Sequence, residues 1–260
     1  MNDPRTTPLR DGVAVVNGTP HTMARGRAPL RHAPSHDAVQ DNELLFGERV
    51  TVFENANGWA WCQSAVDRYV GYIHTIALGE PVTPDHRVTA LSTPLLAGPD
   101  IKRATLDLLP LNAQVRVVER VNNYARIAPD GYIFEGHLAA LDWKAADWVA
   151  TAERFVGTPY VWGGKTHAGM DCSGLLQTAL AGSGIAAPRD ADMQETELGK
   201  DCAQLPRRRG DIVFWDGHVG IMLDETRLLH ANSFHMQVES EPLAQAIARI
   251  TGPMTAIKRI

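Results

Sequence analysis

Apolar and polar positions change period near residue 142, and that change divides the chain. From about residue 31 to 141 short alternating stretches stand between turn residues, which predicts β-strands. The pattern also repeats. Shifted by 65 residues without a gap, Val50-Thr51-Val52 overlays Val115-Arg116-Val117, Glu54 overlays Glu119, and Trp59-Ala60 overlays Tyr124-Ala125. The same shift sets Gly71-Tyr72-Ile73 on Gly136-His137-Leu138. Two copies of a small β-barrel are expected, at 31–80 and 81–141. Residues 1–30, with Pro4, Pro8, Gly12, Gly18, Pro20, Gly26 and Pro29 and no sustained period, read as an extended arm.

From 142 to 260 helical and strand periods mix. Trp148, Ala152 and Phe155 share one helical face in a segment starting at Asp142, whose start marks the domain boundary and which Gly157 ends. Leu175 to Leu180 is rich in helix formers and free of proline and glycine, with Asp171 placed to cap its start. Asp190 is placed to cap a further helix running to about Leu198. Val219, Ile221 and Leu223 alternate with His218 and Gly220 in a half-buried strand, and Leu228 to Asn232 is the next strand. The fold class expected is α+β, two small barrels followed by one mixed domain.

The candidate chemistry lies at Asp171-Cys172-Ser173-Gly174, which puts a cysteine on the first turn of a helix. The unpaired N–H groups and dipole there favour thiolate, whereas Asp171 opposes it, so a second cation, histidine, is expected to hold the charge. If Asp224 to Thr226 form a three-residue hairpin loop, Leu223 lies opposite Arg227 and His230 opposite Gly220, on the face that carries His218. A loop one residue longer would reverse that face. The arrangement makes Cys172 the nucleophile, His218 the general base and His230 its orienting partner.

Composition narrows the alternatives. The apolar fraction of 44% in 260 residues is that of a globular chain of two domains or more. A net charge of −5 gives no reason to expect nucleic acid or an anionic membrane as partner, and Arg207-Arg208-Arg209 reads as a solvated turn. Cys62, Cys172 and Cys202 are too few for a disulfide scaffold, show no metal-ligand spacing and suit a reducing compartment. No metal or other cofactor is expected, because Cys172 with two histidines lacks a fourth ligand. No stretch reads as a signal peptide or as a bilayer span, so the expected location is the cytoplasm. Oligomeric state has no signature in the sequence.

The motifs from Pro159-Tyr160-Val161-Trp162-Gly163-Gly164 through Asp171-Cys172-Ser173-Gly174, Gly210-Asp211-Ile212-Val213-Phe214-Trp215 and Gly217-His218-Val219-Gly220-Ile221 to Leu229-His230-Ala231-Asn232 resemble the NlpC/P60 family of papain-like cysteine peptidases. The two repeats more loosely resemble bacterial SH3-like (SH3b) domains, and the whole layout is similar to murein-peptide dipeptidyl-peptidases. The resemblance implies an NlpC/P60 catalytic domain at 142–260, with Cys172, His218 and His230 as triad and Tyr160 lining the nucleophile's site. It implies a substrate among bacterial cell-wall peptides, cleaved after γ-linked D-glutamate. By the same resemblance the Arg189-Asp190 pair would hold a free N-terminal amine, and Ala191 stands where the family often has serine. Tyr69 and a first-barrel glutamate, Glu43 or Glu48, would close that end of the groove. Asp171 and Ser173 are further substrate-binding candidates, besides capping the helix. A secreted wall hydrolase with wall-binding barrels and a non-enzymatic wall-fragment sensor are the alternatives.

Overall fold

The computed structural model describes residues 3–10, 12–15 and 17–260. They form two compact units, 1–143 and 144–260.

The first unit is almost entirely β. Its leading sheet runs in the order Gln40–Leu45, Arg27–Arg31, Val70–His74, Trp59–Ser64, Arg49–Ala56, Thr19–Met23, Leu78–Gly79. Alternation places Ala60, Cys62 and Ser64 inward while Trp59, Trp61 and Gln63 lie nearer the surface. A two-residue turn joins Arg49–Ala56 to Trp59–Ser64. Its Asn57 and Gly58 adopt φ of 53° and 81°, the left-handed pair that matches strand twist. Leu30, Leu44, Val50, Ile73 and Tyr69 meet in the core of this sheet. Thr19–Met23 and Arg27–Arg31 are integral strands, so the expected arm is replaced by sheet from residue 19 onward. Proline, a poor strand residue, concealed them. Pro20 sits where Leu78–Gly79 does not extend along the strand, pairing only with Thr22 and Met23. Met1, Asn2, Asp11 and Val16 of that arm lie outside the described residues.

The second half of this unit repeats the order. Thr105–Pro110, Ser92–Leu96, Tyr132–Phe134, Tyr124–Ile127 and Val117–Val121 form one sheet, and Gln114–Val115, His86–Val88 and Leu138–Ala140 a second. A register shift near Val117 accompanies the break. The 65-residue shift holds up to the hairpin at Trp59 and Tyr124. Thereafter Gly71-Tyr72-Ile73-His74 corresponds to Gly131-Tyr132-Ile133-Phe134, so the ungapped overlay on Gly136-His137-Leu138 is corrected. The shorter strand and loop before Tyr132 account for the difference.

In the second unit a six-stranded antiparallel sheet runs Lys200–Asp201, Met254–Arg259, Asp211–Trp215, His218–Met222, Arg227–Asn232, Gln237–Pro242. Asp211–Trp215, paired on both sides, is buried at every residue. Helix α1 spans Trp148–Glu153, capped by the Asp147 carboxylate on Val149 and Ala150. The helix expected from Asp142 therefore starts later, because the side chain of Asp147 captures the free N–H groups. Helix α2, Cys172–Gly182, lies against His218–Met222 and Arg227–Asn232. Helices α3, Ala191–Glu197, and α4, Leu243–Arg249, complete the unit. Among the described residues no helix is long and apolar enough to cross a membrane.

Candidate active site

Asp171 opens α2 by accepting the Gly174 N–H at 2.8 Å, which leaves Cys172 as the first helical residue. Backbone N–H groups of Val219 and Ser173 point at its sulfur, so the nucleophile's turn sits against the start of strand His218–Met222. The strand pairing obeys the three-residue loop: Ile221 faces Leu229, Met222 faces Leu228, and the Leu223 N–H bonds Arg227. His230 thus lies opposite Gly220 and diagonal to His218. The two rings are joined by a 2.8 Å hydrogen bond between His218 Nε2 and His230 Nδ1. Trp215 packs on His218 with ring centroids 5.7 Å apart.

The chain of contacts continues to a residue that sequence reasoning missed. His230 Nε2 is 2.8 Å from Glu241 Oε1, and Arg249 grips both oxygens of Glu241. Burial acts to raise the Glu241 pKa, but the hydrogen bonds from Arg249 and His230 outweigh it and hold the carboxyl below its ordinary value. An ionised Glu241 can only accept, so His230 carries its proton on Nε2 and offers Nδ1 as acceptor. His218 must then donate from Nε2. Its Nδ1 is left as the base. Glu241→Gln is expected to lower kcat about 10- to 100-fold with little change in KM, by loosening this tautomer lock. Steady-state kinetics on protein shown to be folded at the assay temperature check this.

Burial dominates the electrostatics. It pushes the Cys172 thiol up to about 12, reinforced by Asp171, and pushes His218 down to about 3 with help from the positive side of the relay. Both directions work against the expected thiolate–imidazolium pair. Tyr160 is beside the sulfur, and burial followed by the charge of Cys172 raises its hydroxyl, which stays protonated as a donor. The Cys172 N–H, at the first helical position, has no intrahelical acceptor. Both groups can serve a developing oxyanion.

Arg189, Asp171 and Ser173 occupy one buried cluster. Arg189, 1% exposed, donates to Asp171 Oδ1 at 3.0 Å, Asp171 Oδ2 at 2.7 Å and Ser173 Oγ at 2.8 Å. Gly163 N–H also binds Asp171 Oδ2. The structure turns these polar atoms on one another, so Arg189 and Asp171 position the nucleophile's turn rather than reach solvent. Gln194 ties α3 to the same turn through Ser173 O. Asp190, half-buried, stands at the N-cap of α3 yet makes no capping bond with its side chain. In the first unit, Tyr69 is packed in the sheet core, Glu43 is paired with Arg27 at 2.7 Å, and Glu48 accepts from the Leu45 N–H. Cys62 and Cys202 are buried free cysteines, both with raised pKa. Among the described residues no group of three or more acids, histidines or cysteines is placed to hold a metal.

Comparison with known proteins identifies the domain that holds this site. The model of the NlpC/P60 family matches residues 157–251, across the cysteine, both histidines and Glu241. This chain carries an NlpC/P60 cysteine-peptidase domain. A model of the bacterial dipeptidyl-peptidase Sh3 domain matches residues 30–78, the first of the two β repeats alone, where two such domains were expected. Dipeptidyl-peptidase 6 of Lysinibacillus sphaericus is 39% identical over 84 residues, 32% of this chain and 31% of that relative. The match thus spans about a third of that relative's length. Gamma-D-glutamyl-L-lysine dipeptidyl-peptidase of Bacillus subtilis (strain 168) is 25% identical over 240 residues, 81% of this chain and 78% of the other. A solved NlpC/P60 family protein from Bacillus cereus ATCC 10987 superposes with a TM-score of 0.78 at 19% identity, covering 93% of this chain and 99% of that one, which establishes a shared fold.

Proposed function

We propose that this NlpC/P60 peptidase hydrolyses the γ-D-glutamyl–diamino acid bond of free murein stem peptides that begin with L-alanine, releasing L-Ala-γ-D-Glu for cell-wall peptide recycling. The observation that carries this reading is the position of Asp190. Its neighbour Arg189 is clamped on Asp171, and Asp171 caps the helix of the nucleophile. Asp190 follows Arg189 directly in the chain and stands at the N-cap position of α3, which ties it in sequence to the cluster around Asp171. An ammonium group at the end of a short peptide pairs with such an acid, whereas an N-capped chain leaves it unmatched. The similarity to a protein named as a dipeptidyl-peptidase over 81% of this chain supports the same reading.

The Cys172 sulfur attacks the γ-carbonyl of D-glutamate as its proton passes to His218 Nδ1. His218 then gives that proton to the departing amine of the diamino acid, and water hydrolyses the thioester by the same route. The second repeat is read as another SH3-like barrel, supported by a strand order that matches the first when Gln114–Val115 and Val117–Val121 are taken as one interrupted strand. A cytoplasmic location is supported by three cysteines that remain unpaired.

Mass-spectrometric product analysis of L-Ala-γ-D-Glu-meso-diaminopimelate in free and N-acetylated forms tests the proposal. Release of L-Ala-γ-D-Glu from the free peptide alone is expected, with Asp190→Asn lowering kcat/KM about 10- to 100-fold. Equal cleavage of both forms would remove the amine-reading end and favour a secreted hydrolase of intact wall.

A further inference from the structure

We propose that Arg249, seated on Phe234, is a carboxylate-binding subsite for the leaving residue, so that the peptidase selects diamino acids bearing a free carboxylate. This rests on the function proposed above and deepens it. The departing amine takes its proton from His218, so the departing residue lies on the His218 side of the reacting bond. There a pocket of about 440 Å³ opens beside His218 and His230, bordered by Asn232, Ser233, Phe234 and Arg249.

The charge of that pocket is one-sided. Its lining includes a single permanent cation, Arg249, and no carboxylate. The nearest acid along the relay, Glu241, is 4% exposed, and both its oxygens are taken by Arg249 and His230. A lysine ammonium entering here would meet no counter-ion. A carboxylate would meet a guanidinium.

The guanidinium is also held ready. Glu241 takes one N–H from each Nη, which leaves the remaining three of an arginine's five N–H donors uncommitted to Glu241. The Arg249 side chain is 24% exposed, so it is open to a ligand. Its other support is Phe234, whose ring centroid lies 4.2 Å from the guanidinium carbon although the residue is 67% exposed. A large aromatic left in solvent at this position acts as a shelf that fixes the plane of the guanidinium. Planar recognition of a carboxylate needs that orientation.

Two carboxylates could be read: the side-chain carboxylate of a diaminopimelate, or the terminal α-carboxylate of a tripeptide. Measuring kcat/KM on L-Ala-γ-D-Glu-meso-diaminopimelate and L-Ala-γ-D-Glu-L-Lys, each as free acid and as C-terminal amide, separates them. Wild type is expected to prefer the carboxylate-bearing member of one comparison by about 10- to 100-fold. Arg249→Gln should shrink that preference to about threefold or less, and Phe234→Leu should reduce it in part. Preference for diaminopimelate over lysine identifies the side-chain carboxylate, and preference for acid over amide the terminal one. If Arg249→Gln lowers all four substrates by one common factor, Arg249 only holds Glu241 and the inference is wrong. If wild type shows no preference, it is equally wrong. Cleavage of none of the four by wild type would instead sink the parent function.

Discussion

Cys172→Ala is expected to lower kcat by about 10⁴-fold or more, because removing a nucleophile leaves only binding and oxyanion stabilisation. At 1.36 kcal/mol per decade this is roughly 5.5 kcal/mol of barrier. No other thiol can substitute. Cys62 lies in the core of the first repeat and Cys202 in the cluster around Trp215 and Met222, whereas Cys172 alone meets the Val219 N–H beside His218. The variant should stay folded, since Asp171, Arg189 and Ser173 fix the turn without the sulfur. Single-turnover kinetics with an unchanged circular dichroism spectrum would bear this out. Residual activity within tenfold of wild type would contradict the assignment.

The second large effect is on stability. Arg189→Met should destabilise the 144–260 unit by about 3–5 kcal/mol, the cost of breaking a buried ion pair and leaving one charge unmatched. Asp171 would retain the Gly163 and Gly174 N–H groups but lose a guanidinium bound to both its oxygens. Arg189→Lys should recover only part of this loss, because an ammonium cannot span both oxygens in the same fork. Thermal unfolding of the three proteins checks the order. A loss under about 1 kcal/mol in the methionine variant would show that the pair adds little beyond packing.

Local motifs carried the placement of Cys172, His218 and His230 in the sequence. A cysteine just after a capping aspartate and two histidines on consecutive strands define their own geometry once a three-residue loop sets the register. Glu241 was not legible in the same way. It lies on the next strand, beyond the irregular segment at 233–236 that includes Met236 at a φ of 53°, and that segment hides which acid meets His230. Glu239 is the residue opposite His230, yet the bond goes to Glu241. Extending the hairpin argument by one strand would have narrowed the choice to those two.

Burial was the other missing quantity. The helix start at Cys172 argued for a thiolate, but the environment that raises the thiol is built from distant segments. Arg189 is expected from the resemblance to act with Asp190 on a free amine, and only the folded chain shows it turned inward onto Asp171. In the β repeats, comparison without gaps could not register the shorter strand and loop before Gly131-Tyr132-Ile133, although that tripeptide repeats Gly71-Tyr72-Ile73 letter for letter.

The most direct test of the central claim is to catch the acyl-enzyme. Enzyme turning over L-Ala-γ-D-Glu-meso-diaminopimelate would be quenched in acid, digested, and its three cysteine-containing regions weighed by mass spectrometry. The expected result is an L-Ala-γ-D-Glu acyl group on Cys172 alone, removable by hydroxylamine, with Cys62 and Cys202 unmodified. Continued product release with no acyl group on Cys172, together with retained hydrolysis by Cys172→Ala, would contradict it.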